Sequence, residues 1–185
     1  MLEDLRQILH DANNGDPFAH LVFAGYLELD EFETQLGRVG RVNGPAFLCD
    51  AWQCEVISSD TLTAVIGHVW ADAEYPNQNL DRELWRELFR AAGFTVDGKL
   101  AERPKEPVEV WRGSVPERRT DWSWSTDRTV AEKFAAGVRG RKPGRLYRLM
   151  APPWSLLCAN TERGEAEYVI DTDCLGGSLI EEVPR

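Results

Sequence analysis

Residues 122–137 read Trp122-Ser123-Trp124-Ser125-Thr126-Asp127-Arg128-Thr129-Val130-Ala131-Glu132-Lys133-Phe134-Ala135-Ala136-Gly137. The first four alternate aromatic and hydroxyl side chains, the period-two pattern of a strand. Thr126 or Asp127 then offers a helix cap, and Val130, Ala131, Phe134 and Ala135 recur at helical spacing until Gly137. On either side the period is again two, in Val108-Glu109-Val110-Trp111, in Leu146-Tyr147-Arg148-Leu149 and in the apolar run Tyr168-Val169-Ile170. The second part of the chain therefore reads as strands interrupted by one helix.

Ahead of the polar stretch Asp97–Pro107 the spacing is helical. Leu2, Leu5, Ile8, Leu9 and Ala12 form one stripe, and Asp16-Pro17 opens a second through Phe18, Leu21, Val22 and Tyr26. Asp30 and Glu33 have the spacing of a capping box before Phe32, Leu36 and Val39. Further helices are expected over Ala46–Val56 and Thr61–Ala71, then a break at Tyr75-Pro76-Asn77, then a helix through Leu84, Trp85, Leu88 and Ala92 that Gly93 ends. Helices first and strands after make an α+β fold rather than a parallel α/β repeat. The division expected is an acidic helical lobe over 1–103, its last part integral to the core, and a catalytic core over 104–185.

The chain has 185 residues, 43% of them hydrophobic, enough for a packed core and too apolar for a disordered chain. Its 21 Lys and Arg against 31 Asp and Glu leave a net charge of −10, which argues against an indiscriminate nucleic-acid coater or a polybasic membrane binder. The charge is unevenly spread. Residues 1–100 hold 7 basic and 17 acidic side chains, whereas residues 101–150 hold 12 basic and 7 acidic. The acidic face is expected to point to solvent or to a basic or nucleic-acid-associated partner. Met1-Leu2-Glu3-Asp4-Leu5 is acidic where a signal peptide is basic, and no apolar run reaches membrane-spanning length, so a cytoplasmic protein without a membrane partner is expected. Cys49 and Cys54 are spaced C-x₄-C with no His close by. With Cys158 and Cys174 they read as buried thiols in a reducing compartment rather than a zinc site, and no metal is expected.

Three pieces carry the candidate chemistry. In Val110-Trp111-Arg112-Gly113, an arginine at a strand end followed by glycine sets a guanidinium fork beside accessible backbone, suited to a diphosphate. In Trp124-Ser125-Thr126-Asp127, hydroxyls at a strand-to-helix junction either cap the helix or orient a polar ligand. In Arg163-Gly164-Glu165-Ala166-Glu167-Tyr168-Val169-Ile170, two carboxylates two apart on a strand project to one face. Such a pair suits a site where one carboxylate stabilises positive charge and the other takes a proton.

In this order the three pieces resemble the arginine–serine–glutamate class of mono-ADP-ribosyltransferases, which includes bacterial toxins, phage-encoded transferases and vertebrate ecto-enzymes. The resemblance covers about residues 75–185. It implies a mainly antiparallel β-sandwich core with one inserted helix, NAD as substrate, a macromolecular acceptor, most often protein, and an effector or toxin of bacterial or phage type. Carried over, Arg112 clamps the NAD phosphate and nicotinamide-side ribose. The main chain of Gly113 bonds the nicotinamide amide, Ser125 and Thr126 form the serine motif at the ribose, and Phe134 walls the nicotinamide. Glu167 is the indispensable carboxylate and Glu165 acts on the acceptor. The Glu-x-Glu form goes with arginine acceptors in this family. Asp127 stands at the motif's third serine, and Arg112 and Ser125 are closer in sequence than in toxin relatives.

The chemistry agrees with these roles. Breaking the nicotinamide–ribose bond makes an oxocarbenium-like sugar that a carboxylate stabilises. Nicotinamide leaves neutral and needs no acid, whereas a guanidinium acceptor must lose a proton to a nearby base. Water as acceptor would make the chain an NAD glycohydrolase. In a different class, the acidic lobe of a non-catalytic inhibitor or interaction protein would occupy a basic surface.

Overall fold

The computed structural model describes residues 25–73, 75–137, 142–161, 164, 166–176 and 179–184. The helical stripe expected over 2–12, and all but the end of the one opened by Asp16-Pro17, lie outside them. The chain divides into two compact units, Met1–Leu88 and Phe89–Arg185.

The first unit is helical. Helix α1 spans Leu29–Gln53 and is two helical pieces joined at Gly40, whose φ of 76° and ψ of 168° leave the helical region. The capping box lies two residues earlier than the Asp30–Glu33 spacing suggests. Glu28 caps the helix and the Glu31 side chain accepts from the Glu28 N–H at 3.2 Å. Phe32 stacks on Phe47 across the kink, ring centroids 4.8 Å apart, and both are fully buried. Helix α2, Ser59–Asp72, starts at Ser58, whose hydroxyl accepts from the Thr61 N–H at 2.9 Å. The expected break at Tyr75 is followed by a single helical turn, α3 (Pro76–Asn79), and then by α4 (Arg82–Ala92). Trp85 stands edge-on to Trp70 at 5.0 Å, its indole N–H given to the Pro76 carbonyl.

Among its described residues, the second unit has the end of α4, an eight-stranded sheet and one further α-helix. The strands are β1 (Thr95–Val96), β2 (Lys99–Leu100), β3 (Val108–Ser114), β4 (Ser123–Ser125), β5 (Arg145–Ala151), β6 (Leu156–Asn160), β7 (Glu167–Ile170) and β8 (Glu181–Val183). They hydrogen-bond in the order β2-β1-β6-β7-β4-β3-β5-β8. Only β1 and β6 pair in parallel; the other six neighbouring pairs are antiparallel. The ladder is continuous across all eight strands, with no break that separates two sheets, and the mixed helix-and-sheet organisation is α+β.

One face of this sheet holds the core. Val110, Trp124, Tyr147, Leu149, Ala159 and Ile170 pack there with Phe94, Ala151, Leu156 and Leu175. Burying each large side chain of this set contributes roughly 1.5–3 kcal/mol. Helix α5, Arg128–Ala135, lies against β3 on the other face and buries Ala131 and Ala135. Its cap is Asp127, whose carboxylate accepts from the Thr129 N–H at 2.7 Å, and hydrogen bonds from Thr129 hold that carboxyl below its ordinary range.

In the polar stretch, Asp97 (φ 49°) and Gly98 (φ 73°) make the tight turn of the β1–β2 hairpin. One reading of the sequence needs correction. Of the four cysteines, Cys49 and Cys158 are buried, but Cys54 and Cys174 are exposed, and all four are free thiols. Among the described residues, no helix is long and apolar enough to cross a membrane.

Candidate active site

Strand register assembles the site. Ser125 of β4 lies opposite Trp111 of β3 on one side and opposite Glu167 of β7 on the other; Glu167 in turn lies opposite Asn160 of β6. Directly opposed residues share a face, so Trp111, Ser125, Glu167 and Asn160 form one row. This is the α5 face, since Gly113, two residues from Trp111, meets the backbone of α5.

Several bonds fix the row. Asn160, only 7% exposed, donates its Nδ2–H to Glu167 Oε2 at 2.9 Å. Ser125 is equally buried, and its Oγ accepts the Asp127 N–H at 3.0 Å. The Thr126 N–H binds the Ala166 carbonyl at 3.0 Å, tying the β4–α5 junction to the residue before Glu167. Asp97 takes hydrogen bonds from the N–H of Thr161, at 2.6 Å, and from its hydroxyl, so the hairpin anchors the chain as it leaves β6. Cys158, two residues before Asn160 on β6, faces the same side of the sheet. Complete burial, and then the nearby Glu167 carboxylate, raise its thiol well above the ordinary value, so it stays protonated.

Arg112 is on the other face. Strand alternation turns it away from Ser125 and Glu167, and its register partner is the core residue Tyr147. Its Nε–H binds the Arg118 carbonyl at 3.0 Å, Nη1 binds the Ser123 carbonyl, and Nη2 meets Asp121 Oδ2 at 3.0 Å. Arg118 reaches the same oxygen at 2.7 Å. The guanidinium, 12% exposed, thus fastens the 115–122 connection to β3 and β4. Replacing Arg112 by Leu should cost about 2–4 kcal/mol, because two carbonyls lose this donor in a largely dry setting and Asp121 is left with Arg118. Thermal melting followed by tryptophan fluorescence reads the loss, and Arg112→Lys should recover only part of it.

Gly113 is set by packing. A Cβ there would stand 2.0 Å from the Ala131 carbonyl oxygen and 2.3 Å from the Ala135 nitrogen, so only glycine lets α5 lie this close. Phe134, on the same helix, is half-buried. Glu165 lies outside the described residues, as does Arg163. β7 begins at Glu167, and Ala166 before it has a φ of 43°.

Two cations border the row on the α5 face. The guanidinium carbons of Arg128 and Arg148 lie 5.0 Å and 5.9 Å from the Trp111 ring centroid. Arg148 also binds Glu109 at 2.7 Å, and Arg128 binds Glu132 at 2.7 Å. Asn160, Asp97 and Asp121 escaped the sequence reading. Of these, only Asp97 had a local signal, the Asp-Gly turn dipeptide. Among the described residues no group of three His, Cys, Asp or Glu side chains is arranged to hold a metal ion. No protein-family model matches the chain, and neither curated proteins nor solved structures give a significant match.

Proposed function

We propose that the chain is a mono-ADP-ribosyltransferase that cleaves NAD at the nicotinamide–ribose bond and passes ADP-ribose to a macromolecular acceptor. The observation that carries this reading is the buried Ser125 set opposite Glu167, with Asn160 fixing the carboxylate from the next strand. A carboxylate held in one orientation is what an oxocarbenium-like sugar requires, because a preorganised charge needs no rearrangement as positive charge develops.

In this mechanism the C1′–nitrogen bond of NAD breaks and its electron pair stays on nicotinamide, which leaves neutral. Glu167 faces the developing charge at C1′ and the adjoining ribose hydroxyl, and Ser125 borders the same ribose. An acceptor nitrogen then bonds to C1′ and gives up its proton. Glu165 is the base assigned to that proton through the family resemblance, and arginine is the acceptor side chain the Glu-x-Glu form implies. Arg112 departs from its family role and acts as a positioning residue, since its guanidinium is bound on the opposite face. Arg128 and Arg148, paired with Glu132 and Glu109, are the cations on the Glu167 face assigned to the NAD phosphates.

Asn160 is a second positioning residue. Removing one hydrogen bond to a charged group costs about 1.5–3 kcal/mol. Asn160→Ala should therefore lower kcat by roughly 10–100-fold with KM for NAD little changed, and Asn160→Ser should recover part of the rate. A rise in KM with kcat intact would assign Asn160 to substrate binding instead.

Transfer is separated from hydrolysis with NAD labelled in its adenylate half and incubated with the full chain and cell lysate. Label fixed on macromolecules supports the transferase. Free ADP-ribose as sole product, with acceptors present, makes the chain an NAD glycohydrolase. A chain that neither binds nor turns over NAD belongs with the interaction proteins.

A further inference from the structure

The helical unit contains a groove of about 550 Å³ that the NAD chemistry does not use. Its walls are Trp52, Ile57, Leu84 and Leu88, and Glu55 and Glu87 lie among them. That volume falls within the roughly 300–1,000 Å³ typical of binding sites. The lining sets two demands on an occupant, apolar contact and positive charge.

The demand for positive charge has several sources. Helix α1 ends at Gln53 with no basic residue in its last turn, so the negative end of its dipole is uncompensated there. Glu55 follows immediately in a left-handed conformation, φ 56°, at a position helices commonly give to glycine. A carboxylate at that point adds to the dipole's negative end rather than opposing it. Glu87 is exposed on α4. From Val42 to Asp81 the sequence has six acidic residues and no Lys or Arg; the nearby cations are Arg82, Arg86 and Arg90 on α4, of which Arg86 pairs with Glu83 at 2.6 Å. Residues 1–88 as a whole carry 16 acidic and 5 basic side chains, a net of −11. At the floor, the Cys49 thiol is pushed up to about 11, first by burial and then by Asp50 and Glu87.

These demands are met together by few groups. A bare cation would leave the apolar walls wet, and a purely apolar ligand would cover carboxylates without a partner. An arginine side chain satisfies both, its methylene stem on Leu84 and Ile57 and its planar head over the half-exposed Trp52 ring and between the carboxylates. We propose that this groove docks a basic segment of another protein, with one arginine seated between Glu55 and Glu87 and neighbouring apolar side chains on Trp52 and Leu84. The extended acidic field favours a segment bearing several positive charges over a small molecule bearing one, because each further charge adds to attraction and to encounter rate.

The test uses the full chain and a fluorescein-labelled peptide of alternating Arg and Leu, with fluorescence anisotropy read at physiological salt. A peptide with Glu in place of Arg serves as the charge control. The Arg peptide should bind and the Glu peptide should not. Glu55→Gln with Glu87→Gln should weaken binding at least about tenfold. Trp52→Ala should weaken it about fivefold. Asp30→Asn with Glu33→Gln removes the same charge from exposed positions outside the groove and should change binding less than about twofold. Equal weakening in the two double variants would assign the attraction to diffuse charge and overturn the groove. Absence of binding by the wild-type chain would overturn it as well. Circular dichroism of each variant confirms its helices, and NAD turnover plays no part in the readout.

Discussion

Glu167→Gln should lower nicotinamide release from NAD by about 10²–10³-fold, with the fold intact. Gln matches Glu in shape and keeps an oxygen that can accept from Asn160, so the exchange removes the charge and little else. Glu167 is half-buried at the start of β7, where its backbone pairs with Ser125 and Asn160, and neither pairing depends on the side chain. Thermal melting should therefore match wild type. The loss should fall on kcat, because the carboxylate is proposed to act on charge that exists only in the transition state. Unchanged turnover would remove Glu167 from the chemistry and with it the reading of the Ser125–Glu167 row.

Gly113→Ala should strongly destabilise the sheet unit. The atoms it would meet are backbone atoms of α5, at 2.0 Å, 2.3 Å and 3.0 Å, and no side-chain rotation relieves them. The helix must shift as a body, and Asp127, its cap, is two residues beyond Ser125. Overpacking of this kind costs about 3 kcal/mol or more. For a unit of this size, that corresponds to a fall in Tm of about 10 °C or more. The same shift pulls on the Thr126–Ala166 bond, so activity should fall with stability. Unchanged melting in Gly113→Ala would mean that α5 does not rest on β3. The family resemblance gives Gly113 a main-chain bond to nicotinamide; the close approach of α5 is a second and independent reason for glycine there.

The fold was legible where a segment shows its period. Helix α2 and strands β3, β5 and β7 lie close to where side-chain spacing puts them. Strand β6, Leu156–Asn160, was not legible, because all five residues are buried and its side chains show no alternation. Strands β1 and β8 are too short to establish a period. At the site, Ser125 and Glu167 were named from motifs, but their meeting depends on the register of β4 against β7, which no local pattern encodes. Register also turns Arg112 to the core face, and parity along β3 alone does not relate it to a residue on β4. Asn160 was invisible for a different reason: a neutral amide has no motif until the carboxylate it binds is brought opposite it.

The charge asymmetry of the sequence acquires a location in the groove by Glu55 and Glu87, whereas the candidate catalysis belongs to the sheet unit. Binding of a basic segment and cleavage of NAD are therefore separable by substitution. Glu167→Gln should leave the Arg peptide bound, and the Glu55/Glu87 double variant should still release nicotinamide.

The central claim is tested most directly by incubating the purified full chain with NAD and following nicotinamide by chromatography against a matched Glu167→Gln sample. The account predicts steady release by the wild-type chain, one nicotinamide for each NAD consumed, and near-complete loss of release in the variant. A folded wild-type chain that releases no nicotinamide above the spontaneous rate, with acceptor-containing lysate present, would contradict it.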